Sequence, residues 1–278
     1  MILQLSLRPT LHRSPATSDR GLVFREKVLF LETLNINPSK AFLLNPAIRS
    51  APLSTLKSAT RSLSSLGLPR AAVARILDMH PLLLTCDPYT HLYPLLDFLL
   101  HEVPIPYDHV HLSLTRCPRL LVSSVDHQLR PTLHFLRKLG FHGPHHPLTC
   151  HNTLLLVSSV QDTLLPKIQF LKGLGLSHAQ VANMVVRSPA LLTYSVHNNL
   201  RPKVEFFFKE MNGDVADLTR FPQYFSFSLE RRIRPRYEKL RQLGLSFRLE
   251  DMLKVSDGEF NARLVEFRFR TLEEGQRF

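Results

Sequence analysis

Two prolines thirteen residues apart recur along this chain, and they constrain its fold more than any other feature. The later proline of each pair is Pro94, Pro131, Pro166, Pro202 or Pro235, at successive intervals of 37, 35, 36 and 33 residues. Thirteen residues before these stand Pro81, Pro118, Thr153, Pro189 and Pro222, so only the third unit has replaced one proline. Other positions keep the same register. Leu92, Leu129, Leu164, Leu200 and Ile233 lie two residues before the second proline, and Gly140, Gly175 and Gly244 lie nine after it. Gly67 extends the pattern backwards, with Ser58 in the proline slot. Paired apolar residues follow the first proline, from Leu83 and Leu84 to Tyr224 and Phe225. Self-similarity at this period is the mark of a repeat architecture.

The fourth unit shows what one repeat can fold into. Ser177 is a candidate N-cap ahead of Val181, Met184 and Val185, whose spacing is helical. Pro189 disfavours helical geometry at Ser188 and stops that helix. A short apolar turn of 3₁₀ character follows, and Pro202 fits the first turn of the next helix, where its missing N–H costs nothing. Val204, Phe207 and Phe208 form the buried stripe of that second helix, and in neighbouring units a glycine ends it. Two short helices and a turn cannot bury their apolar faces alone, so stacked units must share a core. The expectation is an all-α, curved solenoid, a superhelix of about seven repeats between residues 28 and 270. The segment FHGPHHPLTC, where the third unit should begin a helix, predicts a local irregularity.

With 44% hydrophobic residues, the 278-residue chain has enough apolar material for a substantial core. Its net charge of +12 and pI near 10.0 favour an acidic partner. Residues 28–115 are neutral, with six charges of each sign, whereas residues 116–187 carry eight basic residues against Asp126 and Asp162. Cys86, Cys117 and Cys150 have neither the number nor the spacing of a disulfide framework or a zinc module. The richest apolar stretch, 92–100, is broken by Pro94 and Asp97 and is too short to span a bilayer. The first eighteen residues hold Arg8 and Arg13, no acid and several hydroxyl residues, a composition of organellar transit peptides. Residues 1–27 are therefore expected to be a transit or disordered segment, and 271–278 a C-terminal tail. The serine-containing, acid-poor start favours plastid over mitochondrion.

A unit near 36 residues with a Pro-x-Leu-Leu element, and a later Leu-x-Pro such as the Leu-Arg-Pro of residues 129–131 and 200–202, resembles the mTERF family of mitochondrial and plastid proteins. The resemblance covers nearly the whole chain after the transit-like segment. It implies a superhelix of triple-helical repeats whose basic concave face holds double-stranded DNA. It also implies a role in organellar transcription termination, initiation or RNA maturation.

Arg130, Arg201 and Arg234 stand immediately before the second proline, and Lys167, Lys203 and Arg236 immediately after it. If that proline opens a helix, these cations gather at a helix N-terminus, where exposed N–H groups also favour anions. Repetition would then line them up as a ladder against a phosphate backbone, with counterion release and strong salt dependence. Arg137, Lys138, Lys172 and Arg187 are second candidates, followed by Arg220, Arg231 and Arg232. Phe206, Phe207, Phe208, Phe221, Tyr224, Phe225 and Phe227 offer stacking surfaces, although aromatics at helical spacing belong to a core more often. His142, His145, His146 and His151 near Cys150 match no closed four-ligand pattern, and no metal or cofactor is expected. No phosphate-binding glycine loop and no nucleophile motif is present, which disfavours an enzyme.

The leading expectation is a monomeric organellar DNA binder regulating transcription, with termination as its output and no membrane association. Two alternatives use the same repeats. One is an RNA-binding factor in transcript processing or splicing. The other is a protein-interaction scaffold, which predicts neutral grooves and weak, salt-insensitive binding of nucleic acid.

Overall fold

A computed structural model describes residues 16–143 and 147–275, with side chains described over 21–143 and 147–267. Among the described residues every regular element is helical and no strand occurs. The chain divides into two compact units, Met1–Val122 and Ser123–Phe278. The first contains α1 (Ala16–Thr33), α2 (Pro38–Leu44), α3 (Leu53–Ser65), α4 (Arg70–Met79), α5 (Pro88–Asp97) and α6 (Tyr107–Arg116). The second contains α7 (Arg130–Lys138), α8 (Leu165–Lys172), α9 (His178–Arg187) and α10 (Arg201–Lys209). It continues with α11 (Val215–Arg220), α12 (Arg234–Gln242), α13 (Leu249–Leu253) and α14 (Asp257–Gly275).

The first proline of each pair acts as the sequence predicts. Asn45, His80, Cys117, Ser188 and Phe221, each followed by proline, leave the helical region with φ between −127° and −139° and ψ between 68° and 83°. Steric pressure from the proline ring on the preceding residue accounts for that geometry. A 3₁₀ turn follows each break, at Pro46–Arg49, Pro81–Leu84, Pro118–Val122, Pro189–Leu192 and Pro222–Ser226. The apolar pair in each turn is buried, with Leu83 and Leu84, Leu120 and Leu121, Leu191 and Leu192, and Tyr224 and Phe225 all 4% exposed or less. Each leucine so enclosed contributes about 2 kcal/mol of transfer free energy. Ser177 caps α9 in a reciprocal box with Gln180. Gly140 (φ 101°) and Gly175 (φ 88°) close the second helix of their repeats in the left-handed region, and Asn212 (φ 49°) does so in the fourth.

The second proline has a different part from the one expected. It does not open the second helix of the repeat. That helix begins seven residues earlier, where Ser124, Ser159, Ser195 and Ser228 accept hydrogen bonds from backbone N–H groups three residues on, at 3.0–3.2 Å. Asp87 caps α5 at the matching distance from Pro94. In the second unit a π turn leads from each serine into α7, α8, α10 or α12, at Val125–Leu129, Val160–Leu164, Val196–Leu200 and Leu229–Ile233. A proline inside a helix lacks one donor and crowds the carbonyl four residues back. The wider π turn accommodates it without breaking the helix.

Other boundaries also differ. Residues 1–15 lie outside the described residues, but the expected division between 27 and 28 falls inside α1. Lys27 is 3% exposed and donates to the Ile48 and Arg49 carbonyls at 3.1 and 2.7 Å. The division expected at 270 falls inside α14. The third repeat lacks its first helix among the described residues between Lys138 and Thr153, and there Phe141, Leu148 and Cys150 supply the buried side chains instead.

Candidate nucleic-acid interface

All ten cations expected to meet nucleic acid lie in the second unit, Ser123–Phe278. The structure sorts them into three groups. Lys167, Lys203 and Arg236, which follow the second proline, are a correction: they are 8%, 5% and 4% exposed. Lys167 Nζ donates to the Leu192 carbonyl at 2.6 Å. Lys203 Nζ donates to the Phe225 carbonyl at 2.6 Å and to Asn199 Oδ1 at 2.9 Å. Arg236 donates to the Met252 and Val255 carbonyls and pairs with Asp257. The slot after the second proline faces the core, as Leu95 and Thr132 show at 2% exposure each. A cation placed there is buried by the following segment and satisfied by its carbonyls, those of the next 3₁₀ turn for Lys167 and Lys203 and those of α13 and the residues after it for Arg236, since an unpaired buried charge is too costly to keep. Burial pushes the Lys203 ammonium down to about 8 and lowers Lys167 as well.

Arg130, Arg201 and Arg234 form the second group, on the outer side of the same helices. Arg130 and Arg201 are exposed and Arg234 is half-buried. Their backbone N–H groups bond to the Val125, Val196 and Leu229 carbonyls, so the open N–H groups expected at a helix start do not lie beside them. What positions Arg201 and Arg234 is the preceding repeat. The Arg201 guanidinium lies 5.7 Å from the centre of the Phe170 ring, and that of Arg234 lies 4.6 Å from Phe206. Phe170 and Phe206 each stand four residues after the second proline of the previous repeat. The second helices of the third, fourth and fifth repeats therefore lie side by side, and Arg201 and Arg234 are each stacked on the neighbouring helix's aromatic. One turn earlier on the same helix, Asp126 pairs with Arg130, and Glu230 pairs with Arg234 at 3.1 Å. In the fourth repeat His197 occupies that place, and no described carboxylate pairs with Arg201.

Arg137, Lys138, Lys172 and Arg187 are all exposed. Lys138, His142, Asn183 and Arg187 come together around an open groove of about 590 Å³ between α7 and α9, whose floor is made of Gly140, Ala179 and Ala182. Arg187 also donates to the Thr219 and Arg220 carbonyls at 3.0 and 2.6 Å, which satisfies the C-terminal end of α11. Arg187 belongs to a recurrent slot two residues before the first proline, shared with Arg116 and Arg220, and all three are exposed. The constant spacing, two residues before the first proline and fifteen before the second, is the mark this second series leaves in the sequence.

The aromatics sort equally clearly. Phe206, Phe207, Phe221, Tyr224 and Phe225 are 8% exposed or less, so they belong to the core and do not stack on bases. Tyr224 donates its hydroxyl to the Lys203 carbonyl at 2.9 Å. Of the histidine cluster, His145 and His146 lie outside the described residues. His142 and His151 are exposed, while the neighbouring Cys150 is 3% exposed.

The family model described as mTERF matches residues 48–261. The chain is 40% identical over 90 residues to transcription termination factor MTERF2, chloroplastic, of Arabidopsis thaliana, covering 32% of this chain and 14% of that protein. It is 36% identical over 90 residues to transcription termination factor MTERF4, chloroplastic, of Zea mays, covering 32% and 18%. A longer match, 28% identical over 218 residues, joins it to transcription termination factor MTERF8, chloroplastic, of Arabidopsis thaliana, covering 78% of this chain and 43% of that one. The chain thus spans less than half the length of each of these relatives. The paired prolines, the 3₁₀ turn between two helices and a family match over most of the sequence converge, and the chain belongs to the mTERF family.

Proposed function

We propose that this chain is a chloroplast nucleic-acid-binding protein that regulates organelle gene expression, holding double-stranded DNA along the second unit with transcription termination as the output. The observation that carries this reading is the row of outer-face arginines, Arg201 and Arg234, each stacked on an aromatic of the repeat before it. A guanidinium held in place loses less freedom on meeting a phosphate, and repeats set side by side present such groups at intervals. The second unit is basic overall, with 22 Lys and Arg against 15 Asp and Glu. The names of the relatives, chloroplastic transcription termination factors, support the organelle and the regulatory step of this reading.

The reading is tested by binding to duplex DNA, single-stranded DNA and RNA across a salt series, for the wild type and for Arg130, Arg201 and Arg234 changed together to Ala. Removing one arginine–phosphate interaction should flatten the plot of log affinity against log salt by about 0.9 for duplex DNA. The triple variant should show up to three such steps. Equal binding by the variant rejects the row as the binding surface. Preference for RNA over duplex DNA replaces transcription termination with transcript processing, and weak, salt-insensitive binding to all three favours a protein scaffold.

A further inference from the structure

The outer slot that carries Arg130, Arg201 and Arg234 in later repeats is occupied in the first repeat by Tyr93, and the place one turn earlier by Tyr89. Their side chains are 68% and 83% exposed, more than any other described aromatic except Tyr107 at 72%. Asp97 and His101 continue the line along α5 and the π turn after it, with His101 Nε2 3.7 Å from Asp97 Oδ1. Residues 103–106 then bring the chain to Tyr107 and the exposed Asp108 at the start of α6. From residue 81 to 115 there is no Lys or Arg, against four acidic residues. The line Tyr89, Tyr93, Asp97 and His101 thus puts aromatic and acidic groups at the position that is arginine in the second, fourth and fifth repeats and Leu165 in the third.

We propose that Tyr89, Tyr93 and Asp97 on α5 dock an arginine-rich segment of a partner protein, with Asp108 adding long-range charge. Exposed tyrosine rings offer large contact area for little lost freedom and attract guanidinium groups over their faces. The carboxylates supply the complementary charge and steer encounter with a cationic segment. The same carboxylates, in a stretch of sequence without Lys or Arg, repel a phosphate backbone, so the face is unsuited to extend nucleic-acid binding. This inference stands on its own residues and does not depend on what the second unit binds.

The test uses the full chain and a fluorescein-labelled short peptide alternating arginine and glycine, with glutamate replacing arginine in a control peptide. Two surface variants, Tyr89→Ser with Tyr93→Ser, and Asp97→Asn with Asp108→Asn, leave the core untouched, and their melting temperatures verify this. The expected result is binding of the arginine peptide and not of the control, weakened about tenfold by the tyrosine pair. The aspartate pair should also weaken binding and flatten its salt dependence. Absence of peptide binding, or equal binding by wild type and tyrosine pair, overturns the proposal. So does the loss of single-stranded oligonucleotide binding in the tyrosine pair with peptide binding intact, which assigns the face to base stacking.

Discussion

A cation next to a proline has two fates in this chain, and one residue separates them. Arg201 lies on the outer face over Phe170, while Lys203, two positions later, is driven into the core and bonded to the Phe225 carbonyl. Nothing in residue type distinguishes them, and burial is decided by where the next repeat places a carbonyl some twenty residues on. The buried group leaves a measurable trace. With Lys203 lowered from 10.5 to about 8, the folded chain releases a proton that the unfolded chain still holds between those values. Folding stability therefore rises with pH across that window, and this gain is lost as pH falls through about 8. Chemical denaturation of wild type against Lys203→Met should show a difference that grows in favour of the wild type from pH 8 to 10. Tyr224, whose pKa burial raises, is present in both proteins and cancels. A difference independent of pH would mean that Lys203 is solvated in solution.

At the scale of the element, much is legible in the sequence, because the marks are local. Pro189 announces the break at Ser188, Gly175 announces a left-handed helix end, and the paired leucines announce the buried 3₁₀ turn. The start of the second helix is not legible in the same way, for a physical reason: a proline at the first helical position is a common arrangement, and a π turn leaves no compositional mark of its own. The available signal is the serine or aspartate seven residues before each proline, which caps the helix. This assignment predicts an asymmetry between two substitutions in the fourth repeat. Ser195→Ala removes the bond to the Asn198 N–H and should cost about 1 kcal/mol. Pro202→Ala restores a donor in a helix that already accommodates the ring, and should change stability by less than about 1 kcal/mol. If Pro202 opened the helix, the serine variant would be nearly neutral in urea denaturation.

Across the second unit, each buried cation ties its repeat to the next: Lys167 reaches the fourth repeat from the third, Lys203 the fifth from the fourth, and Arg236 the end of α13 and the segment after it. Lys27 makes the same kind of bond in the first unit, to the turn before α3. Stability in such a chain is close to a sum of repeat terms and nearest-neighbour terms, so the loss of one tie should remain local. The third repeat adds a natural weak point, since residues 147–152 have no helix of their own. Hydrogen exchange resolves both effects. In the wild type, amides of residues 148–152 should exchange faster than those of α9 and α10. In Lys203→Met, exchange should accelerate in α10, in the turn Pro222–Ser226 and in α11, while α3 and α4 of the first unit keep their wild-type rates. Uniform acceleration in both units would instead mean that the chain opens as one cooperative body, and the buried cations would then be general supports of a single core.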